Sequence, residues 1–356
     1  MNKKVHNFSA GPSILPDKVF EQASSAIKDF NNSGLSILEI SHRSKDFIEV
    51  LEEARFTALD IAELNKDEYT CLYLQGGASL QFLMTAYNFL NNNAAYINTG
   101  SWSTKAIKEA KMFGDVTEIA SSADKNFNYI PKDLSLNESY DYLHLTSNNT
   151  IFGTQFHSFP DVNCPLFADM SSDIFSRKIN FSKFDLIYAG AQKNLGPAGV
   201  TMVLIRKSLL KNISRQVPSM LSYKIHADKD SSFNTPPVFP IYCVLLNLRM
   251  IKNDGLDNIA SNNDIKSKLI YEEIDNNKCF SGFSHVDDRS QMNATFNLND
   301  GFNGELFNEI CKENNISGIN GHRSVGGYRA SIYNALPIDS VKLLIKCMKE
   351  FESNYN

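Results

Sequence analysis

The chain has 356 residues, 42% of them hydrophobic and 21% charged, with a formal net charge of −5. That length exceeds one ordinary compact domain and suits a large domain with a smaller one. Mild acidity without any lysine and arginine block argues against nucleic acid or an anionic membrane as partner, and no stretch approaches the ~20 apolar residues of a membrane span.

The elements follow in chain order. PDKVFEQASSAIKDFNN predicts a helix opened by Pro16 and Asp17 and closed near Gly34. SKDFIEVLEEARFTALDIAELN predicts a long amphipathic helix with Ser44 as N-cap. YTCLYLQ is a short β-rich run that ends in Gly-Gly. SLQFLMTAYNFL then reads as a helix, AAYIN as a strand and STKAIKEAKMFG as a helix. DVTEIA, DYLHLTS, PLFAD, FDLIYAG and GVTMVLIR are further strands. Several are apolar throughout, as in a parallel sheet covered by helices on both faces. NTPPVFP predicts a helix opening after Pro240, and LDNIASNNDIKSKLIYEEIDNN a long helical region. GFSHV, MNATFNL and VGGYRASIY read as β-like runs, and GELFNEICKENN and DSVKLLIKCMKEFE as helices. This final third has α+β character, with the change near residue 255.

The fold class is therefore α/β: a large domain with a mainly parallel sheet, plus a smaller α+β C-terminal domain. Residues 16–255 form the large domain, and residues 1–15 with 256–356 the small one. Six cysteines lie at 71, 164, 243, 279, 311 and 347, with no CxxC pair. They read as free thiols of a reducing compartment. The N-terminal MNKKVHNFSAGPSILP has no apolar signal core, so the expected location is cytoplasmic. No metal site is expected.

In open parallel sheets, ligands bind beyond the C-terminal strand ends. The sequences found there are QGGAS, NTGSW, SNNT, ADMSS and AGAQK. Asp169 and Lys193 each follow a buried strand, 24 residues apart. A carboxylate that keeps a ring nitrogen protonated and a partly desolvated lysine that forms a Schiff base require such a pair. Ala189, Gly190, Ala191 and Gly196 leave clearance for a cofactor. Read alone, Asp169 suits a turn or helix cap, and Lys193 a surface position. QGGASLQF presents backbone N–H groups and Ser79 at a helix start, where a phosphate binds, although a tight turn has the same look. Trp102, the single tryptophan, is either a core residue or a platform for an aromatic ring. Arg43, Arg323 and Arg329, with His42 and His322, sit in loops. They are either solvated or arranged for a substrate with two anionic ends.

At these residues the chain resembles the phosphoserine aminotransferases, a family of fold-type I pyridoxal-phosphate enzymes among the class V aminotransferases. The resemblance covers nearly the full length. It rests on NFSAGPSILP (7–16), SHRSKDF (41–47), QGGASLQF (75–82), GSWSTKAIKEAK (100–111), ADMSSDIFSR (168–177), YAGAQKNLGPAGVT (188–201), FNTPP (233–237) and GHRSVGGYRASIYNA (321–335). It implies that Lys193 forms the Schiff base with pyridoxal 5'-phosphate and that Asp169 pairs with the pyridine nitrogen. Trp102 stacks on the ring. Ala78, Ser79 and Gln192 hold the phosphate, and Thr150 bonds near the phenolic oxygen. Asn234 and Thr235 reach the cofactor of a neighbouring subunit, which makes a homodimer with shared sites. Arg329 binds the substrate α-carboxylate, while His42, Arg43, His322 and Arg323 hold the distal phosphate or the γ-carboxylate of glutamate.

Some members carry an arginine where Ser79 stands, and a hydroxyl residue where Ala10 stands. The phosphate grip here therefore leans on backbone and hydroxyl donors. The implied reaction interconverts 3-phosphohydroxypyruvate and glutamate with O-phosphoserine and 2-oxoglutarate, for serine biosynthesis. The same pocket admits 4-phosphohydroxythreonine, of vitamin B6 biosynthesis. The alternative is another fold-type I enzyme, a class V aminotransferase or lyase, acting on a different small anionic amino acid. A lyase of the desulfurase kind needs a cysteine on a mobile loop, and no cysteine has that context.

Overall fold

The structure, a computed structural model, describes residues 4–134, 136 and 138–355. Residues 1–3 and Asn356, assigned from sequence to the smaller domain, lie outside the described residues.

The chain opens with β1 (His6–Asn7), α1 (Asp17–Lys28) and α2 (Lys45–Ile61). An alternating run follows: β2 (Tyr69–Leu74), α3 (Gly77–Phe89), β3 (Asn93–Asn98), α4 (Ser101–Ala110) and β4 (Asp115–Ser121). Then come β5 (Leu143–Thr146), β6 (Asn148–Asn149), β7 (Thr154–Gln155), β8 (Leu166–Asp169), β9 (Leu186–Gly190) and β10 (Thr201–Arg206). The helices α5 (Tyr223–Asp228), α6 (Val238–Asp254) and α7 (Leu256–Asn276) lead to β11 (Phe280–Gly282) and β12 (Asn293–Leu298). The chain ends in α8 (Gly304–Glu313), β13 (Ile316–Ser317), β14 (Tyr328–Ser331) and α9 (Ile338–Ser353).

Seven strands form the main sheet in the order β2-β10-β9-β8-β5-β3-β4. All neighbours are parallel except β10, which runs antiparallel to both β2 and β9. The reversal leaves β2 pointing the same way as β9, so five strand ends that carry polar loops share one edge. Alternation along each strand feeds two cores. Tyr69, Cys71 and Tyr73 of β2 pack with α2 and α6, whereas Leu72 and Leu74 pack with α3 and α4. Burying a side chain such as Phe47, which is fully covered, contributes roughly 1.5–3 kcal/mol.

A separate core joins Phe8 to residues of α7, β12, α8, β14 and α9. Its sheet has the order β11-β12-β14 and is antiparallel. β1 returns to this unit by pairing in parallel with β13. All six cysteines are free, and only Cys164 is not fully buried.

Several local readings hold and others shift. Ser44 does cap α2, its side chain accepting from the Phe47 N–H. α1 stops at Lys28, well before Gly34, because Asp29 turns extended and Asn31 and Asn32 adopt positive φ, which asparagine tolerates. α6 begins at Val238, ahead of Pro240; a proline in the first turn removes an N–H that has no helical partner anyway. GFSHV is mostly turn: the strand ends at Gly282, and Ser284 instead bonds the Phe152 and Gly153 carbonyls.

Candidate active site

A cavity of about 440 Å³ opens at the shared strand edge. Nine of the residues singled out from sequence line it: Ala78, Ser79, Trp102, Thr150, Asp169, Gln192, Lys193, His322 and Arg329. They come from the last residue of β8, from just past the ends of β2, β3 and β9, from the turn after β6, from the loop before β14 and from β14 itself. His42, Arg43, Asn234, Thr235 and Arg323 do not line it. Arg43 and Arg323 are exposed. Asn234 and Thr235 bond Gln75, outside the cavity: Asn234 Nδ2 donates to Gln75 Oε1 at 3.3 Å and Gln75 Nε2 to the Thr235 carbonyl at 3.0 Å.

Asp169 ends β8, buried at 5% exposure. Burial pushes its carboxyl pKa up, while Lys193 and donors from Ser171 oppose that push. Both donors meet one oxygen: the Ser171 N–H at 2.9 Å and the Ser171 hydroxyl at 2.6 Å reach Oδ1. Lys193 follows β9. The area it exposes belongs to the open cavity, yet protein surrounds the amine enough for burial to lower its pKa, against the pull of Asp169. Among the described residues its Nζ has no hydrogen-bond or ion-pair partner. It lies 5.4 Å from the Trp102 ring centre. The Ser13 hydroxyl donates to the Lys193 carbonyl, and the Ser13 N–H to the Gln192 carbonyl at 2.9 Å, which pins the loop.

The N-terminus of α3 starts after Gly76, whose φ is +88°, and no side chain caps it. A Cβ at Gly76 would come within 2.5 Å of Leu80, so only glycine makes this entry. The first amides of the helix therefore face the cavity without helical partners. Thr150 ties the two sides of the site together. Its hydroxyl accepts from Trp102 Nε1 at 3.1 Å, and its carbonyl accepts from Arg329 Nη1 at 2.9 Å. Arg329 keeps a buried Nε with no partner among the described residues. The Ser324 N–H donates to His322 Nδ1 at 3.2 Å, so the ring of the neutral His322 carries its proton on Nε2. Burial, then the nearby Arg329, Lys105 and Arg323, hold the His322 pKa below its ordinary value.

The cavity's donor set fits pyridoxal phosphate. Asp169 offers a carboxylate oxygen without a partner among the described residues, Lys193 a free amine, Trp102 an aromatic face and α3 an open set of amides. The clearance expected around Lys193 is only partly for a ligand. Gly196 packs against α6, where a Cβ would meet Val244 at 2.6 Å, and only Gln192 and Lys193 of that run reach the cavity. Sequence reasoning passed over Ser171, although an Asp followed two residues later by Ser is a turn signature. It also passed over Lys105, one helical turn past Trp102 with its Nζ 4.5 Å from the ring centre.

A strand-edge site built on a buried aspartate and a cavity lysine defines a pyridoxal-phosphate enzyme of fold type I. The sequence pattern of the Aminotransferase class-V family matches residues 5–344. A phosphoserine aminotransferase of Flavobacterium psychrophilum is 56% identical over 98% of this chain and 99% of its own. A solved phosphoserine aminotransferase of Bacillus circulans subsp. alkalophilus superposes with a TM-score of 0.95 at 43% identity, covering 99% of both chains. The pyridoxal-phosphate-bound phosphoserine aminotransferase of Trichomonas vaginalis gives 0.92 at 35% identity, covering 97% of this chain and 100% of that one. The chain belongs to the class V aminotransferases, in the branch of the phosphoserine aminotransferases.

Proposed function

We propose that the chain is a pyridoxal-phosphate-dependent transaminase that interconverts 3-phosphohydroxypyruvate and L-glutamate with O-phospho-L-serine and 2-oxoglutarate. The observation that carries this reading is the pairing in one cavity of the Lys193 amine, unpartnered among the described residues and with its pKa lowered by burial, with the buried Asp169 carboxylate.

Bound pyridoxal phosphate supplies the carbonyl carbon that exchanges nitrogen and the electron sink that acidifies the substrate Cα. The amides at the start of α3, with Ser79 and Gln192, hold its phosphate. Asp169 accepts the N–H of the ring nitrogen and keeps the positive charge there. Trp102, its orientation set by Thr150, walls one face against water. Arg329 binds the substrate α-carboxylate as an ion pair. Lys193 Nζ takes the proton from the substrate Cα and returns it, a task suited to an amine whose pKa burial has lowered.

His322 and Arg323 hold the distal phosphate or γ-carboxylate, and His42 and Arg43 complete that grip. Asn234 and Thr235 serve the site of a second copy in a homodimer. Their placement off their own cavity supports this, as do the exposed apolar residues of α1, α2 and the segment between them: Phe20, Leu35, Leu38, Ile48 and Phe56. Free cysteines fit a cytoplasmic setting, and no helix among the described residues is long and apolar enough to cross a membrane.

The test is direct. Purified protein with added pyridoxal phosphate absorbs in the visible, glutamate bleaches the band, and 3-phosphohydroxypyruvate restores it with formation of O-phosphoserine. A protein that stays colourless, or a bleached one that the phosphorylated keto acid does not restore, sinks the proposal.

A further inference from the structure

Ser171 stands two residues past Asp169 on the cavity wall, at 3% exposure. Its hydroxyl has two partners whose polarity is fixed. The Gly190 N–H, at the end of β9, can only donate, and it reaches Ser171 Oγ at 3.1 Å. The hydroxyl accepts there and turns its own proton to Asp169 Oδ1, 2.6 Å away. The Ser171 N–H adds a second donor to that oxygen at 2.9 Å. Two donors on Oδ1 fix the carboxylate's torsion, and Oδ2 is left as the oxygen available to the cavity.

Other groups nearby do different work. Ser147 sends its N–H to the Asp169 main-chain carbonyl at 3.0 Å and turns its hydroxyl proton to Asp173 Oδ1, so it holds the Asp169 backbone and not its charge. The second buried acid, Asp173, is matched by Arg177 at 3.6 Å, by Gln155 Nε2 at 3.0 Å and by the Ser147 hydroxyl. Asp169 has no cation within ion-pair distance among the described residues. Its ionised form depends on Ser171 and on the more distant Lys193.

We propose that Ser171 is a positioning residue of the transamination site: anchored by the β9 backbone, its hydroxyl aims Asp169 Oδ2 into the cavity and keeps the carboxylate ionised for a cationic ring nitrogen. This rests on the transaminase reading above. Removing the hydroxyl leaves the Ser171 N–H bond in place, frees the torsion and strips Gly190 of its acceptor. A hydrogen bond to a charged acceptor of this kind corresponds to roughly a ten- to hundredfold change in an equilibrium.

Wild type, S171A and S171T are compared as holoenzymes by the pH midpoint of the visible band and by the affinity for added pyridoxal phosphate. S171A is expected to shift the midpoint upward by about one pH unit, the equivalent of tenfold. A less firmly held positive charge opposite Asp169 repels the proton at Lys193 less. The cofactor is held about tenfold less tightly, and kcat falls more than KM rises. S171T keeps the hydroxyl and the wild-type midpoint. An S171A midpoint equal to wild type overturns the inference even where kcat falls, because a purely structural role would leave that midpoint in place. If S171A does not fold, S171C decides. Its thiol is a weak donor, so a shift toward higher pH supports the inference and a wild-type midpoint overturns it. A wild-type protein without the visible band overturns the underlying reading as well, whereas a normal wild-type band with unmoved variants overturns this inference alone.

Discussion

The floor of the cavity and its rim are built on different principles. The floor is made by strand ends: Asp169, Ser171 and Lys193 are held by bonds to β8, β9 and the Ser13 segment. The rim is made by loops: His322 and Arg323 sit in a glycine-rich turn, exposed, and Arg43 and His42 lie off the cavity. Groups that must hold one geometry are placed where the sheet fixes them. Groups proposed to accept two different anions are placed where the backbone can adjust. Thr150 and Arg329 form the seam between the two.

The sharpest way to break this contrast is at the floor. Lys193→Ala is expected to lower kcat by at least ~10²–10⁴-fold and to abolish the visible band, with circular dichroism unchanged. Residual turnover within tenfold of wild type would contradict the role assigned to the amine. At the seam, Arg329→Ala should raise KM for both amino-acid substrates about ten- to hundredfold and leave the band in place. Steady-state kinetics with glutamate and O-phosphoserine check this, and an effect on only one of them would move Arg329 to the rim. At the rim, Arg323→Ala should cost O-phosphoserine turnover no more than about fivefold, as for an exposed ion pair, and should fade in high salt.

The smallest effect is on stability. Folding raises the Asp169 pKa above its ordinary value. The cofactor-free protein therefore has the benefit of the protonated form below the unfolded carboxylate pKa and loses it as pH rises through the higher folded value. Asp169→Asn removes that dependence. Its cofactor-free melting temperature at neutral pH is expected to match or exceed wild type, while its holoenzyme is less stable than wild type. A lower melting temperature in both forms would contradict a carboxylate whose desolvation is only partly offset.

Much of the floor was legible in the sequence. Runs such as FDLIYAG and PLFAD announce buried strands by apolar continuity, and the polar residues after them fall where parallel sheets bind ligands. Lys193 and Asp169 were found by that address. Ser171 was not, because a serine beside an aspartate in a turn looks the same whether the carboxylate is exposed or buried. The direction of its proton depends on the Gly190 N–H, 19 residues away in the chain. The rim was legible in residue type and not in placement. Loop arginines carry no periodic signal, so nothing in GHRSVGG separates Arg323, which is exposed and does not line the cavity, from Arg329, which lines it from a strand start. The reversed direction of β10 was equally hidden, since an apolar strand reads alike in either orientation.

That reversed strand has a consequence for scale. The amides proposed to hold the phosphate follow β2 and Lys193 follows β9, more than a hundred residues apart in the chain, and β10 lies between the two strands. Two inter-strand spacings amount to about 9–10 Å, so the sheet acts as a ruler that sets the span between the α3 amides and the Lys193 amine, the two ends of the proposed cofactor site. Insertions in the connections between β2 and β9 leave the ruler unchanged. A one-residue bulge within β10 (Met202 to Ile205) would keep that spacing and instead offset the ends of β2 and β9 along the strand direction, without altering a residue of the cavity.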